Sequence, residues 1–153
     1  MANVFVYAEA RGGELRKVAF EATTAARALA DAAGGGEVHA LLVGAAGIAA
    51  KAEQLGRYGA DVVTVVEHEG FTHYNAEAAS ATAAERIKAG GYRAAIFAAS
   101  QQGRDLAPRV AARLGAPFAG DVIALEAQGD ALVVRHPMYA NKVTGTLAIA
   151  GAP

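Results

Sequence analysis

Residues 100–104 combine a hydroxyl, two amides, a glycine and a guanidinium in one short turn. Such groups could bind a phosphate or the carboxylate of a partner. The turn follows an apolar run that begins at Ala94 and is typical of a strand buried on both faces. In open parallel sheets, ligands bind beyond the carboxyl ends of the strands, near the point where the strand order reverses. The turn is therefore the first candidate for a binding site, and a plain connection between strand and helix is the alternative.

A short amphipathic helix is expected directly after this turn. Apolar residues recur at every fourth position from Leu106 to Leu114, which is the spacing of one helical face. Asp105 is suited to cap the start of the helix, and Gly115 is suited to its left-handed end. With this start, Pro108 falls in the first turn, where proline is tolerated.

The other polar motifs support few kinds of chemistry. The turn at residues 44–47 could present backbone N–H groups to an anion, although close packing of a helix on the sheet is the favoured explanation of its glycines. His68, Glu69 and His73 lack the helical spacing of a metalloenzyme, so no metal site is expected. Ser100 lies outside any Gly-x-Ser-x-Gly motif, and the sequence contains neither a dinucleotide fingerprint nor a Walker motif.

Composition limits the class of protein. The chain has 153 residues, of which 54% are hydrophobic and 19% charged, which suits a single domain over residues 1–153. The formal net charge of -1 predicts no nucleic-acid or membrane surface. The absence of cysteine excludes disulfides, thiol nucleophiles and iron–sulfur clusters. No apolar run approaches the roughly 20 residues of a membrane-spanning helix, so a soluble, cytoplasmic domain is predicted.

Strand and helix patterns alternate four times before the pattern changes. The expected strands cover residues 4–8, 38–43 and 62–66 and the run from Ala94, and helical patterns follow each of them. After Gly115, two apolar runs flank residues 128–130 as in a hairpin, and residues 142–149 alternate like a last strand. The sequence therefore predicts a three-layer α/β domain whose mostly parallel sheet has antiparallel edge strands.

Residues 102–114, with the sequence Gln-Gly-Arg-Asp-Leu-Ala-Pro-Arg-Val-Ala-Ala-Arg-Leu, resemble a segment of one known family. The family segment reads Gly-Lys/Arg-Asp-x-x-Pro-Arg-x-Ala-Ala-x-Leu and belongs to the N-terminal domain of the electron transfer flavoprotein α subunit. Tyr-Ala-Glu at 7–9 and Gly-Ala-Asp at 59–61 are also similar to that domain. Residues 135–141 resemble its Arg-Pro-x-Tyr-Ala-Gly-Asn element, but with His136 inserted and no glycine after Ala140.

The resemblance implies an adenine-nucleotide-hydrolase-like, flavodoxin-like fold that holds no nucleotide and has no catalytic site of its own. In the family, FAD is bound mainly by a second α domain together with the β subunit, and the motifs of that second domain do not occur in these residues. The implied role is that of a scaffold and docking part for the β subunit. The complete heterodimer would carry electrons from acyl-CoA and related dehydrogenases to a quinone oxidoreductase.

A stand-alone adenine-nucleotide-binding module of the universal-stress-protein type is the alternative. Its cleft would lie between the ends of the first and fourth strands and would be lined by Ala8, Glu9, Val43, Gly44, Ser100, Gln101, Gln102, Gly103 and Arg104. Such a module usually has a glycine-rich phosphate loop, whereas this turn contains Gly103 alone. If the chain instead comes from a heterodimer, an apolar patch should be exposed, and the isolated domain could form a homodimer through it.

Overall fold

The computed structural model describes residues 2–153, which form nine strands and four α-helices. In chain order these are β1 Val4–Ala8, β2 Ala10–Arg11, β3 Glu14–Leu15, α1 Lys17–Ala32, β4 Val38–Gly44, α2 Ala52–Gly56, β5 Val62–Glu67, α3 Ala76–Gly90, β6 Ala94–Ile96, α4 Gln101–Leu114, β7 Ala124–Gln128, β8 Ala131–Met138 and β9 Val143–Ile149. Two short 3-10 turns, Ile48–Lys51 and Glu69–Phe71, precede α2 and follow β5.

The central sheet is parallel and has the strand order β5-β4-β1-β6. All five residues of β1 are buried, because helices cover both faces of the sheet. Val4 and Val6 pack on the side of α1, whereas Phe5 and Tyr7 pack on the side of α3 and α4. The chain first builds outward from β1 to β5 and then returns to place β6 on the other side of β1. The strand order therefore reverses between β1 and β6, as a doubly wound sheet requires.

Small side chains let α1 lie close to the sheet. Four alanines of this helix are buried, at positions 19, 22, 26 and 30. The one polar residue on its buried face, Thr23, donates its hydroxyl hydrogen to the carbonyl of Ala19 at 2.7 Å. The helix ends before Gly34 and Gly35, whose positive φ angles of 89° and 87° suit glycine. Helix α1 therefore packs closely on the sheet through small side chains. Its one buried hydroxyl is hydrogen-bonded within the helix.

Strands β7, β8 and β9 hydrogen-bond to one another in an antiparallel sheet of their own. Leu132 of β8 belongs to the same buried cluster as α1, and Leu125 and Ile149 pack against that cluster. The guanidinium of Arg93, just before β6, donates to the carbonyl of Gly129 in the β7–β8 turn. The predicted α/β class, with a parallel sheet between helices and further antiparallel strands, is thus confirmed.

The predicted start of α4 is wrong by five residues, because Ser100 rather than Asp105 is the capping residue. The helix begins at Gln101, and Ser100 caps it by accepting a hydrogen bond from the backbone N–H of Gly103 at 3.0 Å. A serine with extended backbone at the strand end is a strong cap, so the helix forms before Asp105 is reached. As a result Pro108 lies inside the helix rather than in its first turn. Between β1 and α1 the chain also forms the small antiparallel pair β2 and β3, which the sequence patterns did not predict.

We expect Gly103→Ala to destabilise the domain strongly. A Cβ atom at this position would lie 1.7 Å from the carbonyl oxygen of Ala98, and backbone at that point of the strand–helix turn has little room to move. The free energy of unfolding should fall by about 2 kcal/mol or more, as is usual for overpacking against backbone. Urea denaturation measures it.

Gly56→Ala is the matched control, because Gly56 is exposed in α2 and an added Cβ would meet no atom within 4 Å. This variant should be neutral or slightly stabilised. Equal stabilities of the two variants would contradict the tight approach of Gly103 to Ala98.

Candidate functional site at the carboxyl edge of the parallel sheet

A buried carboxylate lies where the strand order reverses. Glu9 directly follows β1 and is only 2% exposed. Its Oε2 accepts a hydrogen bond from the hydroxyl of Ser100 at 2.5 Å, and its Oε1 accepts one from the guanidinium of Arg16 at 2.5 Å. The predicted lining residues Glu9 and Ser100 are therefore in direct contact. The polar groups at the reversal point are thus already paired within the chain. An anionic ligand placed there would be repelled by the carboxylate of Glu9.

The second candidate anion site, the turn at residues 44–47, is filled in the same way. The backbone N–H groups of Gly47 and Ala49 both donate to Oε1 of Glu67, at 2.9 and 3.0 Å. A Cβ on Gly44 would lie 2.8 Å from the side chain of Ile48, so this glycine allows close packing. The packing interpretation of the glycines thus agrees with the contacts, and the exposed N–H groups bind the chain's own carboxylate.

A cluster of tyrosine and charged side chains joins α3 to α4 near the same edge. Tyr74, just before α3, donates its hydroxyl hydrogen to Oδ2 of Asp105 at 2.7 Å. Arg109 donates its Nε hydrogen to Oδ1 of the same carboxylate at 3.1 Å. These two hydrogen bonds hold the pKa of Asp105 below its ordinary value. Partial burial and the bond to Asp105 raise the pKa of Tyr74, so the phenol stays a neutral donor.

Tyr7, at the end of β1, extends the cluster into the core. Burial raises the pKa of its hydroxyl, and the neighbouring Tyr74 and Glu9 add to the increase. Its ring stacks on that of Phe97, with 5.8 Å between ring centroids. A neutral, buried phenol is a structural hydrogen-bonding group rather than a nucleophile. Sequence reasoning missed this cluster, and its one available signal was the spacing of four residues between Asp105 and Arg109.

The other predicted lining residues lie along the same edge, and Gly103 and Arg104 border, together with Ser100, an apolar cleft beside β6. Ala8 and Val43 are buried at or near the ends of their strands, and Gln101 and Gln102 belong to the first turn of α4. Arg104 binds Asp121, which follows α4, with 2.9 Å between nitrogen and oxygen.

His68, one of the two loop histidines, also pairs locally. The Nδ1 atom of His68 accepts a hydrogen bond from the backbone N–H of Gly70 at 2.9 Å. Throughout residues 2–153, no three histidine or acidic side chains are grouped so that they could hold a metal ion.

Comparison with known families identifies the same family that the segment at residues 102–114 resembles. The family model described as the electron transfer flavoprotein domain matches residues 4–153. The chain belongs to this family. Its electron transfer flavoprotein relatives include the α subunit of Syntrophomonas wolfei, with 35% identity over 153 residues, all of this chain and 46% of that protein. The α subunit of Bacillus subtilis is 35% identical over 140 residues, which are 92% of this chain and 42% of that protein.

A third relative comes from a differently named system. Subunit LctC of the NAD(+),ferredoxin lactate dehydrogenase of Acetobacterium woodii is 33% identical over 142 residues, 92% of this chain and 34% of that protein. This electron transfer flavoprotein domain therefore spans less than half the length of each of these relatives. Within the described residues, no helix is both long enough and apolar enough to cross a bilayer.

Asp105→Asn should change how stability depends on pH. The folded pKa of Asp105 lies below that of the unfolded chain, about 3.9, so the carboxylate stabilises the fold above that pH. This contribution is lost as the pH falls through the folded value. The variant should therefore be less stable than the parent protein near neutral pH, with a difference that narrows below about pH 4. Urea midpoints measured in both ranges test this.

Asp130→Asn, in the exposed β7–β8 turn, serves as the control for loss of one carboxylate. Its difference from the parent protein should change little over the same range. If the Asp105 variant behaved like this control, the cluster would not couple α3 to α4.

Proposed function

We propose that this chain is the scaffold and subunit-docking part of an electron transfer flavoprotein α subunit. Its partner would be a β subunit, and the complete heterodimer would bind FAD. That heterodimer would take electrons from acyl-CoA or related dehydrogenases and pass them to a quinone oxidoreductase. We place it in the cytoplasm as part of the same proposal. Besides family membership, the observation that carries the docking role is the uncovered apolar half of the antiparallel sheet.

One face of the antiparallel sheet is mostly apolar, with His136 opposite Gly145 between its apolar pairs, and it is covered only at one end. Leu132 is paired in register with Ile149, and both contact the cluster around α1. Farther along the same face, Met138, Val143 and Leu147 are 37%, 50% and 47% exposed. We name these three residues the open half of the antiparallel sheet. Exposed contiguous apolar side chains of this kind mark surfaces that bind another protein.

The two faces of β8 and β9 differ in polarity, so only one of them is suited to bind an apolar partner. The opposite face carries Arg135, which is paired with Glu126 at 3.0 Å and lies beside Thr146 in register. Thr144 is exposed on that same face. A partner that buries the open half would therefore leave the polar face in water. The partner surface must itself be apolar, since the open half offers it no charge to pair with.

The internal pairing at the carboxyl edge supports docking over nucleotide binding. Glu9 pairs with Arg16 and Ser100, and Glu67 accepts from the backbone N–H groups after β4. A bound phosphate would have to displace these carboxylates or lie against them. Redox chemistry would then come from the flavin of the complete protein, while this chain positions the subunits.

Leu147→Asp should weaken binding to the β subunit while the domain stays folded. A carboxylate in the open half would lose its water on docking without gaining a partner. We expect at least a tenfold loss of affinity, measured by calorimetry or by co-purification of the two chains. Thr146→Asp places the same charge on the opposite face of β9 and should bind normally. Equal loss in both variants, or in neither, would contradict docking through the open half.

Calorimetric titration with ATP, AMP and FAD separates the docking role from the nucleotide-binding alternative. We expect no binding of any of the three to this chain, because both candidate anion positions are filled by its own carboxylates. Tight binding of ATP or AMP that Arg104→Ala weakens would overturn the docking role and favour a nucleotide-binding module.

A further inference from the structure

The turn that joins β8 to β9, residues 139–142, has an unusual backbone. The N–H of Lys142 donates to the carbonyl of Tyr139 at 3.2 Å and closes the turn. Tyr139, Ala140 and Asn141 have φ angles of 51°, 52° and 65°. Three successive residues other than glycine are therefore in the left-handed region, which is unfavourable for most side chains.

The geometry of the turn accounts for only part of this strain. A tight hairpin turn that suits twisted strands has positive φ at its two central residues, here Ala140 and Asn141. Asparagine adopts this conformation readily, whereas alanine does so at a cost in free energy. The turn does not require it of Tyr139, the residue before them. A residue held left-handed where the turn does not need it points to a role for that residue.

The left-handed backbone removes the side chain of Tyr139 from the alternation of the strand. An extended residue after Met138 would lie on the opposite, polar face of β8, because neighbouring side chains of a strand alternate. Instead, Tyr139 is 74% exposed, more than any other large hydrophobic side chain in the described part of the chain. The ring is therefore accessible to a partner at the tip of the hairpin.

Apolar surface connects Tyr139 to the open half. Met138 precedes Tyr139 and is paired with Val143 across the strands. A Cβ on Gly145 would lie 2.7 Å from the sulfur of Met138, so the methionine side chain lies over this glycine. Met138 thereby covers the gap between Val143 and Leu147, and its flexible thioether can adapt to a partner surface. The hairpin tip is thus continuous with the open half.

The open half is too small to hold a partner by itself. A stable interface buries about 800 Å² on each partner. The open half consists of three side chains that the chain itself already covers by half or more. One aromatic side chain can bury roughly 150–250 Å². An interface that includes the open half must therefore extend beyond it, and Tyr139 offers the larger contact.

The charge near the tip limits the kind of partner surface. Lys142 is the one residue with a full charge at neutral pH in the sequence from 136 to 145, and it is exposed. The tip therefore presents an aromatic ring beside an ammonium group and no carboxylate. The complementary surface is an apolar pocket with a carboxylate at its rim.

We propose that Tyr139 is the anchor of docking: its ring inserts into an apolar pocket of the β subunit, and the left-handed turn preorganises it for insertion. This inference rests on the docking role proposed above and names the residue that contributes most to it. A turn that is fixed before binding loses little conformational entropy on association. The open half then packs around the ring and excludes water from it.

Truncation of the ring tests the anchor in calorimetric titrations with the β subunit. Tyr139→Ala should weaken binding about thirtyfold, the usual effect of losing an interface anchor. Tyr139→Phe keeps the ring and should bind within about threefold of the parent chain. Tyr58→Ala is the control, because it removes an exposed tyrosine outside the antiparallel sheet, and its affinity should be unchanged.

Ala140→Gly tests preorganisation separately from the anchor. Glycine adopts positive φ freely, so urea denaturation should show that the variant is at least as stable as the parent chain. The same change gives the free turn more conformations, so the affinity for the β subunit should fall several-fold. An affinity equal to that of the parent chain, or higher, would overturn the preorganised turn.

Nitration with tetranitromethane gives a readout without any substitution. In the free chain Tyr139 should react first, since Tyr58 is 46% exposed and Tyr7 and Tyr92 are buried. Addition of the β subunit should protect Tyr139 and leave Tyr58 reactive, as mass spectrometry of the peptides would show. Protection of Tyr58 without protection of Tyr139 would overturn the anchor.

The outcomes distinguish this inference from the docking role on which it rests. If Leu147→Asp weakens binding and Tyr139→Ala does not, the anchor is overturned and docking through the open half stands. If the parent chain does not bind the β subunit, both are overturned. Protection of Tyr139 that increases with the concentration of the chain alone would assign the tip to a second copy and would also overturn the anchor.

Discussion

The paired carboxylate of Glu9 is the constraint on which the upper edge of this domain depends. It joins the end of β1 to the start of α4 through Ser100, and to the start of α1 through Arg16. Ser100 in turn caps α4 through Gly103, and Gly103 can approach the carbonyl of Ala98 only because it has no Cβ. One buried charge thus fixes the relative positions of the central strand and two helices. A charge so deeply buried is tolerated because both of its oxygens are hydrogen-bonded.

The same arrangement explains why a nucleotide-type architecture has no free anion site at these two positions. Sheets with this strand order offer a cleft at the reversal point and backbone N–H groups at helix starts. Here side chains of the chain itself occupy both positions, namely Glu9 at the reversal point and Glu67 after β4. The polar cluster of Tyr74, Asp105 and Arg109 ties α3 to α4 beside them. The polar groups at this edge are therefore hydrogen-bonded to one another within the chain, which suits the proposed role of positioning other domains.

Sequence patterns predicted the elements well where the signal was local. Strands β1, β4 and β5 were found as apolar runs, and the later hairpin was found from its turn residues. The start of α4 was misplaced because Ser100 and Asp105 are both good caps, and only the tertiary contact of Ser100 with Glu9 decides between them. Glu9 and Ser100 were both named as lining residues, but they are 91 positions apart, so their pairing could not be read from spacing. Tyr74 was missed for the same reason.

The half-covered antiparallel sheet has a consequence for how stability is distributed in the molecule. The parallel sheet has helices on both faces, whereas the outer parts of β8 and β9 are uncovered on one face among the described residues, and the proposed docking would cover them. Opening of these strands therefore needs less free energy than global unfolding, and it is linked to partner concentration by mass action. A partner that binds the folded strands raises the cost of local opening there and leaves the parallel core almost unchanged. In a cell, the proportion of chains vulnerable to proteolysis at β9 would then report how much of the protein is assembled.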